Sequence, residues 1–343
     1  MFSFSIVSQA QVYELVWSDE FQGNGAINSD NWYHQTQFPN GESWYNDEVQ
    51  HYTDREINSY VSNGILKIVA KREPFTDQGV TKQFTSARLN SKFAFTYGKV
   101  DVRAKLPSGV GTWPAIWSLG QNIIEPGGFW SDSMGNVFWP ECGEIDVMEH
   151  WGNNQNYVQS AIHSPSSFGD TMNKGGQIVS NASTGFHIYT MEWTPEKITF
   201  SVDETVHYTY EPEFQNGDTW PFDTNQYLLL NIAILPDISS DFEESNLEID
   251  YVRVYQEEVL GMDNNNLGVV SVYPNPVSDL LHVKVPMEYV GDQLEIYSML
   301  NQRLLTRSID SENIKIDFSK FNNGTYLLLL KNKNVTHSQL IVK

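Results

Sequence analysis

One eight-residue run limits what this chain can become. Gly143-Glu144-Ile145-Asp146-Val147-Met148-Glu149-His150 sets three acids and a histidine into an otherwise apolar, strand-like stretch. An unpaired carboxylate taken out of water costs several kcal/mol or holds on to its proton. Alternate side chains of a regular strand share a face, so Glu144 and Asp146 point the same way and position 148 comes next. That position is Met148, and Glu149 falls on the wrong side. A one-residue β-bulge at Val147-Met148 restores the phase and brings Glu149 round beside the other two. The rival reading is an edge strand with solvated acids. Charged strand faces normally mix signs, and this one is flanked by tryptophan and proline.

Three carboxyls along one strand face suit retaining glycoside hydrolysis, which needs two of them about 5 Å apart, one attacking and one protonating. Crowding like charges splits their pKa values and supplies one ionised and one protonated group at the same pH. The spacing picks out Glu144, Asp146 and Glu149 without assigning the roles. His163 sits on a strand-like stretch, either touching the acids or sugar or acting as a satisfied core histidine. His150 alternates to the opposite side and reads as structural.

Aromatic residues supply a surface for sugar. Trp113 and Trp117 lie four apart and share a face if they are on a strand. Sugar rings present apolar C–H faces edged with hydroxyls, and flat rings beside polar groups suit them. Trp130 and Trp139 lie in the segment leading to the acidic strand. A single tryptophan is usually core, but all ten tryptophans precede residue 257, around one acid-rich strand. Asn46 and Glu48 lie in a tryptophan-containing segment. Arg88 either offers its donors to sugar hydroxyls or forms an ordinary salt bridge.

Strand signals dominate the rest: 65–71, 98–106, 157–163, 186–193, 198–202, 227–234 and 247–255 are β-branched or aromatic runs. No stretch shows a helical period, so many short antiparallel strands predict an all-β sandwich or barrel. Three long segments, 39–52, 121–140 and 235–246, interrupt them, and loops of this length in a compact β domain are usually functional. Residues 257–268 lose the pattern and read as a linker. Beyond it, 269–343 reads as a small second β-sandwich, after a first domain at 11–256.

Charge separates the two parts. The chain carries 43 acids against 21 bases, a formal charge of −22. Residues 269–343 hold eight bases and seven acids, so the excess sits in the first part. That balance argues against nucleic acid or an anionic membrane as partner. The single cysteine, Cys142, permits no intrachain disulfide and reads as a small buried hydrophobe. Residues 1–10 resemble the tail of a secretory signal. Asp19-Glu20 and Asp250 offer oxygen donors that suit calcium if the terminal strands pair. No His/Cys cluster points to zinc, and no phosphate loop or nucleophile elbow is present. A monomer is expected.

These residues resemble glycoside hydrolase family sixteen, in particular its bacterial laminarinase branch. The resemblance rests on Glu144-Ile145-Asp146-Val147-Met148-Glu149, whose extra Met separates laminarinases from lichenase-type members without the bulge. Further landmarks are Trp17-Ser18-Asp19-Glu20-Phe21, Gly111-Thr112-Trp113-Pro114-Ala115-Ile116-Trp117 and Ile249-Asp250-Tyr251-Val252-Arg253. The resemblance implies a concanavalin-like β-jelly-roll sandwich with a concave cleft and retaining endo-hydrolysis of β-1,3-glucan. It implies Glu144 as nucleophile, Asp146 as its assistant and Glu149 as acid/base, without a catalytic cofactor. Trp113, Trp117, Trp139, Asn46, Arg88 and His163 are the implied sugar contacts. A structural calcium on the convex face would map to Glu20, Gly64 and Asp250, partly through backbone carbonyls. Mixed-linkage glucan or an algal galactan is the alternative substrate, and a non-catalytic glucan-binding module the alternative function. Residues 269–343 resemble the sorting domain of the type nine secretion system, on Tyr273-Pro274-Asn275-Pro276-Val277-Ser278-Asp279, Gly324-Thr325-Tyr326 and the basic C-terminus. That implies the secretion machinery as a partner and a secreted or surface-attached protein.

Overall fold

The computed structural model describes residues 13–257, 270–298, 302–331 and 336–343. They form two compact units, one within residues 1–258 and the other within 259–343. The signal-like residues 1–10, and the linker apart from Glu257, lie outside the described residues.

The first unit is a β-jelly-roll sandwich of two antiparallel-dominated sheets. One has seven strands, in the order Lys174–Ile178, Tyr157–His163, Glu144–His150, Thr112–Gly120, Gln226–Ile234, Arg88–Phe95 and Trp32–His34. The other has ten. Its path runs Thr205–Tyr210, Ile198–Val202, His187–Trp193, Gly98–Lys105, Glu244–Glu257, Ile65–Asp77, Val80–Ser86 and Gln50–Tyr52. Tyr13–Asp19 adds beside Glu244–Glu257, and Ser59–Ser62 beside Ile65–Asp77.

Each sheet turns one face to a shared core. The strand Gln226–Ile234 is buried at all nine positions, as its apolar run requires of a central strand. The strand Gly98–Lys105 gives Val100, Val102 and Ala104 to the core, in period two. The strand Thr112–Gly120 alternates likewise: Ile116 is in the core, while Trp113, Ala115, Trp117 and Leu119 line a cleft on the opposite face.

Most strands fall where the alternation places them, and Tyr157–His163 and Ile198–Val202 match residue for residue. Two strands of the cleft sheet escape a reading by propensity. Arg88–Phe95 is polar at four of its first five positions, and Lys174–Ile178 contains Gly175 and Gly176. Gly176 is required there, because a Cβ would stand 2.4 Å from the Val158 carbonyl and 2.6 Å from the Tyr157 ring. The segment 235–246 contributes nothing to the cleft lining; its Ile238 and Phe242 pack on the core instead.

The second unit carries two small sheets. Ser271–Tyr273, Leu280–Lys284 and Asn313–Asp317 make one, and Arg303–Ser308, Gln293–Ser298, Thr325–Lys331 and Thr336–Val342 the other. Its own core includes Leu281, Val283, Leu294, Ile296, Ile314, Ile316, Phe318 and Leu328.

The acidic strand is entered through Gly143, which holds φ at +72°. A Cβ there would also lie 2.7 Å from the buried Phe222 ring. Gly143→Ala therefore meets both backbone strain and a clash, and should lower stability by about 1–3 kcal/mol. Thermal unfolding measures this; an unchanged Tm would remove the constraint.

Candidate active site

The bulge stands where the spacing demands it. Against Thr112–Gly120, Asp146 faces Trp117 and Met148 faces Ile116, so Val147 has no partner. Against Tyr157–His163, Asp146 faces Ala161 and Glu149 faces Gln159, so Val147 and Met148 stand against Ser160 alone, two residues against one. Ile145, Val147 and Met148 all enter the core between the sheets. Glu144, Asp146 and Glu149 all line the cleft.

Neighbouring strands and the turn before Gly143 present polar groups to the acids. The Trp139 indole N–H donates to Glu144 Oε2 at 2.9 Å. The Trp113 indole N–H donates to Glu149 Oε1 at 3.1 Å, and Gln159 Nε2 to its Oε2 at 3.5 Å. His163 Nε2 lies 3.1 Å from Asp146 Oδ2 and 3.6 Å from Glu144 Oε1. The shorter contact lacks hydrogen-bond alignment, which leaves Asp146 Oδ2 buried without a hydrogen-bond partner. Of the two readings for His163, the structure favours contact with the acids. His150, by contrast, is fully buried with Nε2 2.6 Å from the Gln155 carbonyl, a structural role.

The cluster Glu144, Asp146 and His163 could be taken for a metal site, since their ligand atoms lie within 4.8 Å of one another. The histidine tautomer argues against it. The Gly169 N–H donates to His163 Nδ1 at 3.1 Å. That leaves the neutral ring's proton on Nε2, the atom facing the carboxylates. A metal-ligating imidazole does the reverse, donating its outer N–H and offering a bare inner nitrogen.

Burial pushes all three carboxyls up, each to about 8. Burial is the largest cause for Glu144 and Glu149, and the Asp146 charge adds to it. His163 opposes the rise at both, helped by the Trp139 indole at Glu144 and by Trp113 and Gln159 at Glu149. For Asp146 the cause is burial alone. Three carboxyls on one dry face cannot all be charged at neutral pH, so the trio titrates as a unit that holds protons.

The cleft encloses about 590 Å³. Trp113 is stacked on Trp151, ring centroids 5.8 Å apart and planes 22° from parallel. Trp117 is held on two sides. Its indole N–H donates to Asn231 Oδ1 at 2.7 Å, and the Arg88 guanidinium lies 4.8 Å from its ring. Asn231 Nδ2 in turn donates to the Tyr52 hydroxyl at 3.1 Å, and that hydroxyl to Glu48 at 3.0 Å. Glu48 is buried, which raises its pKa against the opposing Gln50, Arg88 and Tyr52 contacts. Through Tyr52 and Asn231 it braces the Trp117 indole from the wall of the cleft.

Arg88 takes the salt-bridge alternative. It is 4 % exposed and holds both oxygens of Glu125, at 2.9 and 3.1 Å, with Gln35 on its Nε. Asn46 is exposed at the rim, beside Tyr45. Sequence reasoning passed over Tyr45, Trp151, Phe138, Asn231 and Gln159 as lining residues. Gln159 and Asn231 were findable, since each pairs in register with a residue already singled out, Glu149 and Arg88.

On the outer sheet, Glu20 is held by Arg253 at 2.8 and 2.9 Å, and Asp250 by Arg103 at 2.6 Å. The carboxylates offered to calcium are thus already neutralised, and Gly64 could add only a carbonyl. The donor set does not fit a dication without displacing a guanidinium, and no step is assigned to one.

A jelly-roll sandwich whose cleft holds three buried carboxyls beside stacked indoles defines a carbohydrate-processing hydrolase. Residues 44–253 match the glycosyl hydrolases family 16, and residues 271–343 match a secretion system C-terminal sorting domain. The chain belongs to family 16 and is an exported glycoside hydrolase. It is 37 % identical to a β-glucanase of Rhodothermus marinus, across 72 % of this chain and 87 % of that one. It is 33 % identical to a keratan-sulfate endo-1,4-β-galactosidase of Sphingobacterium multivorum, across 76 % of this chain and 59 % of that one. A variant of LamA from Z. galactanivorans, solved with laminaritriose and laminaritetraose, is 46 % identical with a TM-score of 0.66, across 71 % of this chain and 98 % of that one.

The raised carboxyl pKa values carry a stability consequence. An unfolded carboxyl titrates near 4, so between about pH 4 and 8 the folded chain binds more protons than the unfolded one. The stability this contributes is full below about 4 and is lost as pH rises through 8. Asp146→Asn removes the buried acid that burdens both neighbours. Its Tm advantage over the parent should be small at acid pH and widen steadily as pH rises to 8.5. Thermal melts across that range test it, and a constant gap would refute it.

Proposed function

We propose that the protein is a secreted, retaining endo-β-1,3-glucanase. The observation that carries this reading is the bulged strand, which turns Glu144, Asp146 and Glu149 together onto the cleft face. Glu144, the nucleophile in this reading, attacks the anomeric carbon. The Trp139 N–H stabilises its anion before attack. Glu149, kept protonated by burial, gives its proton to the departing glycosidic oxygen. The result is a glycosyl ester on Glu144 and a freed sugar hydroxyl. Water then attacks the same carbon, Glu149 takes its proton, and the ester breaks with the original configuration restored. Asp146 shares its environment with both and tunes their charge. The residue ranges follow this reading: 11–256 as the catalytic domain and 269–343 as the sorting domain, joined by the linker 257–268.

The cleft crosses six neighbouring strands, from Lys174 to Arg88. At about 4.8 Å per strand this is a path of about 24 Å, longer than one sugar and suited to binding within a chain. Trp113, Trp117, Trp139 and Asn46 are the proposed sugar contacts, with His163 beside the cleavage point and Arg88 acting through Trp117. β-1,3-Glucan as substrate draws on the β-glucanase and LamA relatives. The β-galactosidase relative makes a galactan the alternative to test.

Glu144→Gln should cut reducing-end release from laminarin by at least about 10³-fold with the fold intact. A panel of laminarin, mixed-linkage glucan, keratan and agarose decides the substrate, and a protein that cuts agarose while sparing laminarin would overturn the glucan assignment. Since no step passes through a metal, EDTA should leave kcat per folded molecule unchanged; a fall in kcat with the fold intact, restored by calcium, would contradict this mechanism.

A further inference from the structure

The bulge that presents Glu149 takes one residue off the ladder. Val147 has no partner on Thr112–Gly120, and on the other flank Ser160 lies opposite the extra residue. Gln159, Ala161 and His163 line the cleft. Ser160 alternates away from it and is fully buried. Its hydroxyl donates to the Val147 carbonyl at 2.7 Å. The same oxygen lies 2.9 Å from Nε2 of His207, on a strand of the opposite sheet. His207 Nδ1 lies 3.3 Å from Gln177 Nε2, which also faces the Thr205 carbonyl at 3.3 Å.

The proton directions follow from the Thr205 carbonyl, which needs the amide nitrogen of Gln177, not its oxygen, beside it. An amide nitrogen only donates, so His207 Nδ1 accepts and the ring proton sits on Nε2. That proton goes to Ser160 Oγ, whose own proton is committed to Val147. Donation runs one way, from Gln177 through His207 and Ser160 to the backbone of the bulge. Burial pushes His207 down to about 4, which keeps the ring neutral. None of the three side chains lines the cleft.

We propose that Ser160, oriented by His207 and Gln177, is a positioning residue that pins the bulge and so sets where Glu149 meets the scissile bond. Without the hydroxyl, a buried carbonyl loses its partner and the local register is free to relax. The proposal rests on the reading of Glu149 as the acid.

General acid help matters for a poor leaving group and little for an activated one. The test compares Ser160→Ala, Ser160→Thr and Glu149→Gln on laminarin and on a dinitrophenyl β-laminaritrioside, with rates expressed per folded molecule. Ser160→Ala should lose about 10- to 100-fold in kcat on laminarin, with KM within about twofold, and lose little on the aryl substrate. Ser160→Thr should recover most of the loss. Adding His207→Phe to Ser160→Ala should change nothing further, because the ring acts through the hydroxyl. A Ser160→Ala enzyme with unchanged kcat, or one equally impaired on both substrates, overturns the proposal. If Glu149→Gln shows the leaving-group dependence and Ser160→Ala does not, the proposal alone fails. If Glu149→Gln is equally impaired on both, the acid assignment fails and takes the proposal with it.

Discussion

The site depends on a competition between two adjacent apolar side chains for the same core. Val147 and Met148 are both buried between the sheets, although a regular strand would send one of them to the cleft. Burying each contributes about 1.5–3 kcal/mol, against about 1–3 kcal/mol for a buried backbone group taken off the ladder. The Ser160 hydroxyl removes much of that penalty by capturing the Val147 carbonyl. The unbulged alternative is worse on both faces: Met148 would enter a polar cleft and Glu149 an apolar core. Hydrophobic burial thus selects the register, and the placement of the third carboxyl follows from it.

Once placed, the carboxyls work against the fold that holds them. Each is pushed up to about 8 by burial, which destabilises the folded state as pH rises. What keeps the cluster intact is its surroundings. Two indoles and an amide donate to the outer acids, and the Gly169 N–H fixes the ring that faces the middle one. The same dryness that costs stability makes one sheet face able to hold a charged and a protonated acid together.

The fold class was legible because alternation is a local signal. Gly98–Lys105 and Gln226–Ile234 announce themselves through β-branched and aliphatic runs. The trio was legible for the opposite reason, since acids in an apolar strand violate the local rule and a single slip of phase accounts for them. Arg88 was not settled by sequence, because its partner Glu125 lies 37 residues away in a long loop. Asn46 and Glu48 were read together from sequence, yet the chain turns at Asn46 and Asp47, both at positive φ, and leaves Asn46 exposed at the cleft while Glu48 is buried in its wall. Trp151 needed the third dimension, since only the fold stacks it on Trp113.

The polar groups around the cleft divide into those already committed and those still free to meet a ligand. Glu48, Tyr52 and Asn231 spend hydrogen bonds on one another and on the Trp117 indole, while Arg88 spends its own on Glu125 and Gln35. Asn46 and Tyr45 stand exposed at the rim, and Trp139 is 39 % exposed beside Glu144. The division has an entropic logic. A tryptophan whose ring is backed by a guanidinium and whose N–H is already paired has few rotamers left to lose when sugar stacks on it. In the proposed mechanism, binding energy from the sugar faces is then not consumed in ordering the platform, and can serve to hold the anomeric carbon in line with the attacking carboxylate. In the proposed mechanism the buried ion pair Arg88–Glu125, which touches neither Glu144 nor Glu149, would act at a distance, by holding the guanidinium against the Trp117 ring.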